Sequence, residues 1–148
     1  MKTETLIENN LQLVTFRVGS EDYGIHIMRV QEIIRVIDAV KVPKAPQYVD
    51  GVVNLRGKII PIINLHKRMG KNITAYTEAS RIIIVDVGGR QAGMVVDLVI
   101  DVIMVNREYI EPCPSIDSSE RSDYITGVGK QNDRLITVLN LDNLLKLP

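Results

Sequence analysis

Gly51-Val52-Val53-Asn54-Leu55-Arg56-Gly57-Lys58-Ile59-Ile60-Pro61-Ile62-Ile63-Asn64-Leu65 reads as two apolar strands joined across the turn Asn54-Leu55-Arg56-Gly57. The same pattern returns 76 positions later. Gly51-Val52 falls on Gly127-Val128, Lys58-Ile59-Ile60 on Arg134-Leu135-Ile136, and Ile62-Ile63-Asn64-Leu65 on Val138-Leu139-Asn140-Leu141. An earlier block repeats at a shift of 69, which lays Leu13 to Ile34 over Ile82 to Ile103 without a gap. There Gly19 meets Gly88, Gly24 meets Gly93, Val30 meets Val99 and Glu32 meets Asp101. Two ordered, gapless blocks indicate a duplicated unit. The change of shift places about seven extra residues in the second copy, around Pro112 to Tyr124, a Pro-, Ser- and Asp-rich stretch with loop composition.

Each unit reads as short strands. Leu13 to Val18 and Ile82 to Val87 are near-continuous apolar runs closed by Gly19-Ser20 and Gly88-Gly89, where glycine supplies positive φ for a tight hairpin. Tyr23 to Ile27 and Ala92 to Val96 keep alternate residues apolar, as half-buried return strands do. Val30 to Val36 with Val99 to Val105, and Lys58 to Asn64 with Arg134 to Asn140, complete the set. About five strands per unit, with no edge left unpaired, predict a small closed barrel for each copy. The expected fold is therefore all-β: two five-stranded barrel subdomains, about 12–66 and about 81–140, in one domain spanning 1–148. Leu65 to Gly70 predicts a short helix ended by glycine. A second, at about 141–147, is expected to pack back. Thr3 to Asn10 is a fraying turn or a tail.

Composition narrows function. The 148 residues carry 18 basic and 18 acidic side chains, giving zero net charge and no basic run, which speaks against nucleic-acid binding. Ile and Val dominate, Trp is absent, and Phe16 is the single Phe. The Ile and Val content leans towards β-structure. No stretch approaches the ~20 apolar residues of a membrane span, and the N-terminus lacks an apolar signal region. A cytosolic protein without direct membrane insertion is expected.

Catalytic readings find little support. His26 alternates with Ile25 and Ile27 and is placed on the solvent face; His66 sits in a polar, basic turn. Neither has neighbours at metal-ligand spacing. The lone Cys113, between two prolines, has no base nearby to activate it. Gly88-Gly89-Arg90 and Gly127-Val128-Gly129 are hairpin glycines rather than phosphate loops. Asp97 and Asp101, four apart in a strand region, would share a face; a paired-carboxylate site and two solvated side chains explain them equally. No cofactor or metal is expected. Arg56-Gly57 is specific to the first unit, since Lys130-Gln131-Asn132-Asp133 occupies that place in the second. Plain turn chemistry accounts for it, and so does divergence of one turn towards a partner, where Arg is a favoured anchor.

The opening segment, with Phe16-Arg17-Val18-Gly19, Tyr23-Gly24-Ile25, Val30-Gln31-Glu32-Ile33, Val42-Pro43, Ala45-Pro46, Gly93-Met94-Val95-Val96-Asp97, Tyr124-Ile125-Thr126-Gly127-Val128 and Leu139-Asn140-Leu141, closely resembles the CheW-like family along nearly the whole chain. The resemblance implies SH3-like barrels around a shared core. It also implies an adaptor rather than an enzyme, binding the cytoplasmic tip of methyl-accepting chemotaxis receptors and the regulatory domain of the histidine kinase CheA. Location would be cytoplasmic, at the inner membrane face through receptor arrays. The absence of a receiver or kinase domain favours the stand-alone coupling protein. Glu32, Arg56 and Gly57 match positions at or near the family's receptor-binding surface, with an ion pair between Glu32 and Arg56 as a hypothesis. Val30, Ile33, Val99 and Val102 are groove candidates, for which core packing is the competing reading. The kinase is assigned to a face of the first subdomain without residues. Two alternatives stand: a coupling protein for a non-flagellar chemosensory pathway, and a double-barrel enzyme or ligand-binding protein using Asp97 and Asp101.

Overall fold

Leu13 to Val18 and Ile82 to Val87 lack clean alternation because both faces of these strands are covered. Ile82 and Ile84 point into one apolar cluster while Ile83 and Val85 point into another. The computed structural model describes residues 10–112 and 123–146. Its strands are β1 (Asn10–Val18), β2 (Glu21–His26), β3 (Val30–Arg35), β4 (Val49–Leu55), β5 (Lys58–Asn64), β6 (Arg81–Val87), β7 (Arg90–Val96), β8 (Leu98–Asn106), β9 (Ile125–Gln131) and β10 (Arg134–Leu139). Two short helices, α1 (Leu65–Arg68) and α2 (Leu141–Leu144), follow β5 and β10. Single 3₁₀ turns cover Ile27–Arg29 and Arg107–Tyr109. Cys113, residues 3–9 and most of the 112–124 insertion, with Leu147, lie outside the described residues.

The ten strands form two five-stranded sheets, in the orders β8-β1-β2-β10-β9 and β3-β6-β7-β5-β4. Neither closes into a barrel. This corrects the expectation of two five-stranded SH3-like barrels: the chain is mainly β with two short helices, but the sheets remain open. Among the described residues, one isolated bridge in each sheet ties the irregular segment after one outer strand to the opposite outer strand: Val40 after β3 to Val52 of β4, and Glu111 after β8 to Val128 of β9. The edge argument failed because irregular segments, rather than a closing ladder, lie along the outer strands. Those segments approach very closely. A Cβ on Gly51 would stand 2.3 Å from the Val40 carbonyl oxygen, and one on Gly127 would stand 2.6 Å from that of Glu111. Only glycine permits the crossing.

The sheets also ignore the sequence repeat. β1 and β2 of the first copy lie between β8 and β10 of the second, and β6 and β7 of the second lie between β3 and β5 of the first. The parallel contacts β2 with β10 and β5 with β7 seal these exchanges. One large cluster takes Phe16, Ile25, Ile63 and Leu65 from the first half with Ile83, Met94, Leu139 and Leu144 from the second. Each sheet adds a smaller cluster of its own.

The helices start in the same way. Asn64 and Asn140 cap them by accepting from the backbone N–H of Lys67 and Asn143, satisfying a donor the first turn leaves free. The Asn64 and Asn140 N–H groups donate to the Tyr48 and Tyr124 carbonyls, 2.7 Å in each case. Arg68, on α1, then lies over both tyrosine rings and donates to the carbonyls of Leu144 and Asn143. It ties the end of one repeat to the end of the other.

Candidate functional site

Arg56 and Gly57 form the two-residue tip of the β4–β5 hairpin, with φ of 52° and 83°. The hairpin twist favours positive φ at both places, which Asn and Gly adopt at low cost and other residues do not. The second-half tip, Asn132-Asp133, has φ of 47° and 68°. Arg56 therefore stands in strained backbone where its counterpart is an asparagine. Its side chain reaches Glu32 on β3, at the opposite edge of the same sheet, and donates from two nitrogens to the two carboxylate oxygens, 2.6 Å each. The Arg56 side chain is 70% exposed and that of Glu32 30%. The guanidinium hydrogen bond holds the Glu32 carboxyl below the usual carboxylate range, and Glu32 in turn raises Arg56. This planar, charge-assisted fork ties the β4–β5 tip to the far edge strand β3, which the curvature of the sheet brings within reach.

The quasi-equivalent carboxylate, Asp101 on β8, is placed differently. Its register partner is Thr15, where Glu32 has Ile84. The buried Thr15 hydroxyl donates to the Asp101 carboxylate and accepts from the Asp101 N–H at 3.2 Å. Arg134 adds a contact of 3.2 Å to Asp101 and one of 3.6 Å to Asp22.

Around Glu32, Ile33 is 41% exposed; at the matching place near Asp101, Val102 is 52% exposed. Val30 and Val99 are partly buried against the large shared cluster. Thus Ile33 and Val102 present surface while Val30 and Val99 support it from behind. The two pairs lie on edge strands of different sheets, β3 and β8.

Asp97 and Asp101 do not form a pair. The strand breaks after Val96, and each carboxylate has its own partners. Asp97 accepts from the Gly19 N–H at 2.7 Å and faces His66 Nε2 at 2.9 Å. His66 is buried rather than in a polar turn, and its Nδ1 meets the Asn72 carbonyl at 2.8 Å. His26 is half-buried and caps the 3₁₀ turn by accepting from the Met28 N–H. Among the described residues, no three His, Cys, Asp or Glu side chains converge as metal ligands.

Sequence reasoning missed an apolar cleft of about 440 Å³ in the first half, lined by Val42, Pro43, Ala45, Val52, Ile59 and Pro61 among others. Ile59 is 63% exposed there. The two Pro dipeptides at 42–46 were its available signal, since proline fixes a non-ladder path. They could not show that this path would meet the outer face of β4 and β5.

Comparison with known proteins decides the family. The CheW-like domain profile matches residues 12–148. The chain belongs to the CheW-like family. It is 38% identical to the chemotaxis protein CheW of Treponema pallidum over 141 residues, covering 93% of this chain and 83% of that one. It is 35% identical to the Helicobacter pylori CheW over 139 residues, covering 94% and 84%. The crystal structure of the scaffolding protein CheW from Thermoanaerobacter tengcongensis superposes with a TM-score of 0.85 at 36% identity, covering 93% of each chain. This CheW-like chain is accordingly a chemotaxis adaptor of the CheW type. No helix among the described residues is long and apolar enough to cross a membrane.

Proposed function

We propose that the Glu32–Arg56 surface receives the cytoplasmic tip of a methyl-accepting chemoreceptor, and that the apolar cleft at 42–61 receives the CheA regulatory domain. Both contacts would take place in the cytoplasm, at the inner membrane face. The observation that carries the receptor assignment is Arg56 itself. A hairpin tip that its twin builds from Asn132-Asp133 here holds an arginine at φ 52°, aimed into a two-oxygen fork on an exposed face. Backbone strain retained at a surface tip is explained by what the side chain presents. Gly57 completes the tip. Ile33, next along the strand, and Val102, on the edge strand of the other sheet, supply exposed apolar area, while Val30 and Val99 pack against the shared core. A receptor helix laying an apolar stripe on such a surface is a recurrent recognition mode. The cleft suits the kinase contact because its lining is mostly apolar and comes mostly from the first half, with Arg90 of β7 added.

An adaptor shifts a kinase equilibrium only by its differential affinity for the two states. Moderate contacts multiplied across an array would provide the strength. The test is titration of the purified protein with a receptor-tip fragment and, separately, with a CheA regulatory domain. Glu32→Ala should weaken receptor binding about tenfold, as loss of an interface charge fork does, while leaving kinase binding and folding intact. Ile59→Glu should do the reverse. Unchanged receptor affinity in a folded Glu32→Ala protein removes the proposed surface.

A further inference from the structure

Four ladders join the two halves of the chain: β1 with β8, β2 with β10, β3 with β6, and β5 with β7. What stays within a half is hairpins, β1–β2 and β4–β5 in the first, β6–β7 and β9–β10 in the second. Lone hairpins are marginal in water, so each half obtains its sheets from the other. The large core cluster draws on both. Polar clasps cross the same seam. His66 on α1 meets Asp97, and Asp142 on α2 meets Arg29 at 2.7 Å, the same helix position in each repeat.

Against these contacts stands a thin covalent connection. Residues 70–80 link α1 to β6 without regular secondary structure, and 72–79 are exposed. The linker is pinned to the first half, through the Asn72 carbonyl on His66 and through the Tyr76 hydroxyl, which donates to Asp50 and accepts from Asn64 at 2.9 Å. Nothing in the four ladders or the core depends on which chain supplies the linker.

We propose that two copies of this chain exchange halves across residues 70–80, with residues 10–69 of one copy completing residues 81–146 of the other. The result is a closed, twofold dimer of two complete interlocked units. Exchange of identical elements is a low-cost route to a dimer, because every contact is kept and only the linker path changes. In the single chain the linker holds the halves at a high effective concentration, so the monomer dominates when dilute. Because Glu32 and Arg56 both lie in the first half, each unit of the dimer keeps a whole fork. Given the receptor surface proposed above, the dimer would be bivalent.

Two variants of the chain test this by light scattering, from about 10 μM to about 1 mM, the effective-concentration range of short linkers. In one, Asn72–Ala79 is deleted, leaving Gly70, Lys71 and Ser80 between Met69 and Arg81. It should raise the dimer fraction at least tenfold over the parent chain. A folded deletion protein that stays monomeric throughout overturns the proposal. The other carries a protease recognition sequence between Ile73 and Thr74 and is refolded at high concentration, so it decides the matter if the deletion chain does not fold. Cutting the isolated dimer should halve its native mass, since each unit then holds one half from each copy. A dimer that keeps its mass after cutting is a face-to-face pair, and failure to form any dimer likewise overturns the exchange.

Discussion

Glu32 faces Ile84 across the β3–β6 ladder; Asp101, its counterpart 69 positions on, faces Thr15 across the β8–β1 ladder. Isoleucine offers a carboxylate nothing, so Glu32 turns outward to Arg56. Threonine offers a buried hydroxyl, so Asp101 is drawn into a bond with the sheet interior and shared with Arg134. The duplicated fold thus places the same kind of group in the same spot twice. One neighbour decides whether it is presented at the surface or tied down. Around both, the outer strands are bridged in the same manner over Gly51 and Gly127.

The comparison breaks most severely at those glycines. Gly51→Ala should destabilise the protein by about 3 kcal/mol and Gly127→Ala by about 2, since both force a carbonyl away but Gly51 also sits at φ 148°. Urea unfolding of the two variants side by side measures this, and equal losses would mean that the backbone angle contributes nothing.

Thr15→Val removes the hydroxyl that holds Asp101 while preserving shape. A loss of about 1–2 kcal/mol is expected for a buried bond to a carboxylate. Unfolding of Thr15→Val, Asp101→Ala and the double variant together should give non-additive losses. Additive losses would show that the hydroxyl does not hold the carboxylate.

Arg56→Asn makes the first hairpin tip like the second. Its melting temperature should hold or rise, because asparagine accepts the positive φ, while receptor-fragment affinity falls about tenfold. Calorimetry and titration on one sample measure both. A falling melting temperature with unchanged affinity would assign Arg56 to turn stability alone.

The smallest effect is a titration. Arg56 keeps the folded Glu32 carboxyl below its unfolded value. The pair's contribution is therefore complete above the ordinary glutamate value, about 4.3, and is lost as pH falls through the lower folded value. Carboxyl-carbon NMR should place the Glu32 midpoint below that of an ordinary glutamate, and Arg56→Ala should move it up. An unmoved midpoint would mean that the fork does not persist in solution.

Much of this was legible along the chain. The repeat, the hairpin glycines and both short helices follow from local patterns, and the family resemblance pointed to Glu32 through Val30 to Ile33 and to Arg56 through Gly51 to Leu65. The failures share a cause. Closed barrels were expected because edge strands need cover, yet residues 36–48 and 107–112 run along the outer strands with a single bridge each. His66 reads as part of a polar, basic turn with Lys67 and Arg68, but the four-residue helix turns it inward to Asp97. Asp97 and Asp101 looked like one face because the break after Val96 carries no Gly or Pro.

By itself, then, the sequence determined what repeats along the chain: strand periods of two, turns where glycine or asparagine tolerates positive φ, and helix starts at Asn64 and Asn140. These depend on residues within a few positions of one another. Tertiary structure alone decided that β1–β2 and β6–β7 trade places between halves, that Thr15 captures Asp101, and that the sheets stay open. Each of those outcomes rests on a ladder between residues tens of positions apart, and apolar alternation is the same whichever strand lies alongside.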